Sequence, residues 1–209
     1  MATAALSLTA CDRETVQAGY VGVKVDLYGT EKGVQQQVVG VGRYWLGMNE
    51  ELYTFPTFNQ LHTFDKPFGF QTSDSMNVSA NVGVEYYVEP TKVATMFQTY
   101  RKGVDEITEV NLRQNISDAL IKHSTELDIN SLSSGGKTKL LDQVTQDLRS
   151  KLDPVGIRIV KLSWTSDLEY PPQVKKSIND KIEASQASAR VENQVAQSRA
   201  EAQKEIEKA

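Results

Sequence analysis

Val78-Ser79-Ala80-Asn81-Val82-Gly83-Val84-Glu85-Tyr86-Tyr87-Val88-Glu89-Pro90 is the stretch whose reading decides the fold. Val78, Ala80, Val82, Val84, Tyr86 and Val88 alternate with Ser79, Asn81, Gly83, Glu85, Tyr87 and Glu89. Successive strand residues point to opposite faces of a sheet, so one face of this run is core and the other is wet or covered by a partner. Proline cannot donate to a sheet ladder, and Pro90 ends the strand.

Upstream the chain stays β-like. Val21, Val23, Val25 and Leu27 alternate with Gly22, Lys24 and Asp26, predicting a half-buried strand closed by Gly29. Glycines 33, 40, 42 and 47 punctuate a run of strand formers, and Leu52 to Pro56 and Thr57 to Phe64 read as further short strands. Downstream the period changes. Val93, Met96, Phe97 and Tyr100 share one helical face, and Gly103 closes that piece. A longer helix from about Asp105 is expected to turn Ile107, Val110, Leu112, Ile116, Leu120 and Ile121 inward and to carry a Glu109/Arg113 pair four residues apart. Ser133-Ser134-Gly135-Gly136 breaks the pattern, and Leu140, Leu141, Val144, Leu148 and Leu152 mark a third helix. After Asp153-Pro154-Val155-Gly156, a last strand runs through Ile157, Ile159, Leu162 and Trp164. Strands, then helices, then one strand predict an α+β domain.

From Pro171-Pro172 to Ala209 there is no further glycine or proline, and Ala, Glu, Lys, Gln and Arg predominate. Prolines suit a helix entrance, and the residues that follow are good helix formers. Apolar residues recur every eleven positions on two lines: Ile178, Ala189 and Ala200, and Ala184, Val195 and Ile206. An eleven-residue period fits a nearly straight helix, and the two lines lie about 120° apart. Two stripes suit a neighbour on each side. The same composition also suits a solvated linker or a disordered tail, so the palisade and the solitary tail both stand. The last residues, Glu207-Lys208-Ala209, read as an uncapped helix that continues.

Lysine and arginine number 23 against 27 acidic residues, and 39% of the chain is hydrophobic. That balance gives no basic footprint for nucleic acid. No window holds the roughly eighteen apolar residues of a spanning helix, so membrane contact must come from a lipid, a partner or another segment. Leu8-Thr9-Ala10-Cys11 contains the only cysteine and resembles the bacterial lipobox, in which the cysteine is diacylated and the signal cut before it. The alternative is a lone buried or free cysteine. Under the lipobox reading Cys11 is the lipid anchor, and Asp12 resembles an inner-membrane retention signal. Several acyl chains on one residue hold a protein stably on a bilayer.

Thr72-Ser73-Asp74, leading into the strand that ends Tyr86-Tyr87-Val88-Glu89-Pro90, resembles the T-x-D … Y-x-V-x-P core of the SPFH, or Band 7, domain of stomatins, prohibitins and flotillins. Gly19-Tyr20-Val21-Gly22-Val23 and Phe55-Pro56 upstream fit the family's opening. Leu112, Arg113 and Ile116, Gly156-Ile157-Arg158-Ile159, and the step from Asp167 to Pro172 continue it in order. The resemblance covers about Val16 to Ala209. It implies an SPFH domain with a curved, mostly antiparallel sheet and packed helices, followed by a long C-terminal helix. The expected organisation is 1–13 as the remnant of a lipoprotein signal and anchor, 14–90 as the β-rich first part of the domain, 91–170 as its α/β second part, and 171–209 as the start of a coiled-coil-like helix. Cys11 stands where the family carries a transmembrane or hairpin anchor.

No catalytic, cofactor or metal constellation is read from the residues. His62 and His123 lack paired ligand spacing and read as surface or structural histidines. Gly136-Lys137-Thr138 imitates the end of a phosphate loop, but Ser131 stands where its first glycine belongs, and Lys137 and Thr138 read as helix-start residues. With no such constellation a scaffold rather than an enzyme is expected, and the lipobox with Asp12 points to the bacterial inner membrane, facing the periplasm. Membrane lipid and like or related SPFH subunits are the implied partners, in rings or cages that organise microdomains or enclose membrane proteins. Ile178, Ala184, Ala189, Val195, Ala200 and Ile206 are the expected interface. The alternative is a regulatory binding module of a membrane-bound AAA+ protease that forms no large cage.

Overall fold

The alternating stretch forms two strands rather than one. In the computed structural model, which describes residues 13–28 and 33–208 and leaves the side chains of residues 36 and 199–208 outside that description, Asn81 separates β8 (Asn77–Ala80) from β9 (Val82–Val88). The break has a tertiary cause. The Asn81 carbonyl accepts the Thr165 N–H at 2.9 Å, and its own N–H donates to Ser166 Oγ at 2.9 Å. A distant segment thus takes the groups that would have continued the ladder.

The other strands are β1 (Arg13–Val16), β2 (Tyr20–Asp26), β3 (Gly33–Val39), β4 (Gly42–Trp45), β5 (Glu50–Pro56), β6 (Gln60–Thr63), β7 (Phe68–Gln71) and β10 (Ile157–Trp164). Among the described residues they pair only antiparallel, in four small sheets ordered β1-β4, β3-β2-β5, β7-β8 and β10-β9-β6. The helices are α1 (Val93–Tyr100), α2 (Val104–Glu106), α3 (Arg113–Ser124), α4 (Ile129–Ser131), α5 (Lys137–Leu152) and α6 (Pro172–Lys208). This is the α+β arrangement expected, with Lys137 and Thr138 opening α5 as read.

One hydrophobic cluster runs through the whole body, from Val23 and Phe55 through Val84 and Val88 to Ile116, Leu120, Leu148 and Leu162. Phe97 of α1 packs on Tyr53 and Phe55, with ring centres 4.4 and 6.1 Å apart. In the middle of β2, Gly22 leaves no room for a side chain, because a Cβ there would lie 2.7 Å from both Leu52 Cδ1 and Val39 Cγ2.

Between α2 and α3 the stretch Ile107–Leu112 is π-wide. Each wide turn takes an extra residue, so positions four apart no longer stack. Two expectations fall with that change: Val110 turns out to solvent, and Glu109 does not pair with Arg113. Glu109 Oε1 instead lies 2.9 Å from His62 Nε2, without an aligned hydrogen bond. The Arg113 guanidinium donates to the Lys66 and Pro67 carbonyls and stacks 4.5 Å from the Phe68 ring centre. The wide stretch is pinned from β9, where the buried Tyr86 hydroxyl meets Thr108 Oγ1 at 2.6 Å. Ile121 is also exposed, since it lies about 100° around α3 from the fully buried Leu120.

The turn into β10 is held by charge. Arg158 Nε donates to Glu89 Oε2 at 2.9 Å, and Nη1 to Asp153 Oδ2 at 2.7 Å. The Arg158 hydrogen bond holds the Glu89 carboxyl below its ordinary value of 4.5. A carboxyl depressed in the fold adds stability above its unfolded pKa and loses it as pH falls toward the folded value. Thermal unfolding of the parent should therefore move to lower temperature below about pH 4.5. An Arg158→Gln variant should be less stable near neutrality and show a shallower fall on acidification; parallel pH profiles for the two proteins would contradict this role.

Candidate functional site

The Thr72-Ser73-Asp74 motif is a structural pin. Thr72 is buried, its Oγ1 donates to Asp74 Oδ1 at 2.5 Å, and Asp74 Oδ2 accepts the Ile129 N–H at 3.4 Å. With the Ser73 N–H on the Leu127 carbonyl at 2.9 Å, the β7–β8 turn is tied to the start of α4. Glu169 and Ser79 exchange backbone hydrogen bonds, N–H to carbonyl, at 2.8 and 3.2 Å, which lays the segment before α6 along β8. These contacts set the direction in which the long helix leaves the body.

α6 spans 37 residues, a rod of about 55 Å. Val174 packs against the core, Ile178 is half-buried, and Ala184, Ala189 and Val195 are exposed. Ala200 and Ile206 lie on the helix backbone, but their side chains fall outside the described residues. Two residues missed by the eleven-residue lines widen the stripes. Ile182 lies about 40° from Ile178 and Val191 about 40° from Val195, and both are exposed. Counting positions within about 40° of each line would have found them. A cavity of about 610 Å³ opens along the first stripe, between Ile178 and Ile182 on one wall and Ile129 and Met76 on the other.

At another end of the molecule four large apolar residues stand in water. Met48 is 91% exposed and Tyr28 72%, and Trp45 and Leu27 are exposed as well. Leu27, expected on the buried face of β2, lies past the end of that strand at Asp26. Its N–H donates to the Asn49 carbonyl at 2.7 Å, joining the β2 end to the Gly47–Glu50 turn. Arg13 pairs in register with Trp45 and its guanidinium lies 3.9 Å from the Trp45 ring centre. The first described residue therefore sits at this apolar tip. Cys11, two positions earlier, lies outside the described residues.

His62 and His123 are both partly buried, and His123 Nδ1 is 3.9 Å from Glu126 Oε1. Among the described residues no group of three or more His, Cys, Asp or Glu side chains is placed to hold a metal, and no helix is long and apolar enough to cross a membrane.

A packed α+β body thus sends out a long exposed helix. The model of the SPFH domain / Band 7 family matches residues 14–204, and the chain belongs to that family. Members of the family are membrane-associated and generally act as non-enzymatic scaffolds. A comparison with curated proteins returned no match.

Proposed function

We propose that the chain is a lipid-anchored subunit of a ring or cage on the bacterial inner membrane, facing the periplasm, which organises microdomains or encloses membrane proteins. Subunits stand side by side, with Ile178, Ala189 and Ala200 of one against Ala184, Val195 and Ile206 of a like or related neighbour. The observation that carries the reading is that α6 leaves the body with apolar residues on two sides and that, among the described residues, Ile182, Ala184, Ala189, Val191 and Val195 are exposed and Ile178 is only half-buried. A rod this polar gains its order from tertiary contacts, and small residues let backbones come close. The cavity along Ile178 and Ile182 extends the same contact onto the body.

The apolar tip supports the orientation. Trp and Tyr favour the membrane–water interface, where one end is apolar and the other wet. Acyl chains on Cys11 would bring Leu27, Tyr28, Trp45 and Met48 to the headgroups. Cys11→Ser in the intact precursor should abolish lipid labelling and shift the protein from the membrane to the soluble fraction. Adding Trp45→Asp and Met48→Asp should lower the residual vesicle affinity about tenfold further, the loss of roughly 1.4 kcal/mol of apolar contact. Unchanged fractionation of Cys11→Ser removes the anchor from the account.

A further inference from the structure

The β10-β9-β6 sheet has two edges, and neither edge strand has a second strand partner among the described residues. Both are antiparallel to β9, so β6 and β10 run in the same direction. At the register shift between Ile159 and Lys161 the Arg149 guanidinium takes the Ile159 and Val160 carbonyls, which closes that part of the edge. Beyond it lie Lys161–Trp164. The Thr165 N–H points to Asn81, on the β9 side. Backbone groups alternate along a strand, so Ser163 and Lys161 also face β9, while Leu162 and Trp164 turn theirs to the open edge. A groove of about 690 Å³ flanks this edge, between Leu141 and Arg149 of α5 and Leu162 and Trp164. The four-residue open stretch matches the four residues of β6.

We propose that these edges join between copies of this chain, β6 of one copy pairing in parallel with Lys161–Trp164 of the next. The inference rests on the side-by-side reading above and names the second contact that makes it directional. A head-to-tail contact uses two different surfaces, so it propagates from subunit to subunit and closes a ring when the rotation allows. β6 lacks the devices that keep an edge unpaired: it contains no proline, lysine or bulge, and Leu61 is 71% exposed on it. Charge favours a second copy as the occupant. Glu109 lies 2.9 Å from His62 of β6, whereas Arg149 and Lys161 line the groove beside β10, with Asp142 as the exception.

Leu61, Lys161 and Ser163 share one face of the sheet, and neighbouring strands lie about 4.8 Å apart, within disulfide reach. The test is oxidation in membranes of intact protein carrying Leu61→Cys together with Lys161→Cys or with Ser163→Cys. The parent, whose single cysteine is Cys11, sets the background. At least one double variant should give a ladder of covalent multimers on a non-reducing gel, each single variant no ladder, and a mixture of singles dimers only. Sedimentation of the same samples separates the two readings. Assemblies without a ladder overturn the strand pairing and leave the helix contacts standing, whereas a solitary parent overturns both. Dimers from a single variant, or a bond from position 163 to a different polypeptide, also overturn the proposal.

Discussion

Gly156→Ala is expected to lower the stability of the domain by about 3 kcal/mol. Gly156 has φ +95°, a region that costs an L residue roughly 1–2 kcal/mol. A Cβ there would also lie 2.6 Å from Lys92 Cβ. Overpacking of that kind costs about 1–3 kcal/mol when neighbours cannot retreat. Lys92 has little freedom to do so. Its Nζ donates to the Asp153 carbonyl at 3.0 Å, and the Glu89 N–H donates to the Gly156 carbonyl at 2.8 Å, so both chains at the clash are held. For a domain of this size the loss corresponds to roughly 6–12 °C in melting temperature. A thermal or urea melt checks it; a shift under about 1 °C would mean that the turn before β10 relaxes freely.

Ala189→Glu combined with Val195→Glu is expected to disperse the assembly while leaving the subunit folded. Each substitution puts a carboxylate on a different stripe of α6, so every contact between neighbours receives both. At about 2 kcal/mol or more for each buried charge without a partner, a single contact weakens by about 700-fold or more. Within one chain both positions are exposed, and glutamate is a good helix former, so helix content should not change. Sedimentation should show the large species replaced by single subunits, with circular dichroism like the parent's. Large species that survive both charges would place the neighbour elsewhere than on these stripes.

Local periodicity carried much of the fold. The alternation from Val82 to Val88, the helical spacing of Leu140 to Leu152 and the Pro172 helix start all depend on neighbours within one element, and each forms as read. The misses arise where distant groups intervene. Asn81 looks like any solvent-facing strand residue until Thr165 and Ser166 arrive beside it. The wide turn that displaces Glu109 and Val110 is steadied by Tyr86, more than twenty residues away in sequence. The candidate surfaces divide in the same way. The α6 stripes are periodic and therefore visible, but Leu27 and Tyr28 meet the region of Trp45 and Met48 only after β2 has paired with β5. The open edges of β6 and β10 likewise exist only once the strand order is known.

Copy number in the intact protein, extracted from membranes in mild detergent and imaged as single particles, tests side-by-side packing most directly. Many-copy rings or cages, with α6 rods standing next to one another above the lipid-bound ends, are the expected result. Particles that each contain one copy at cellular abundance would contradict it.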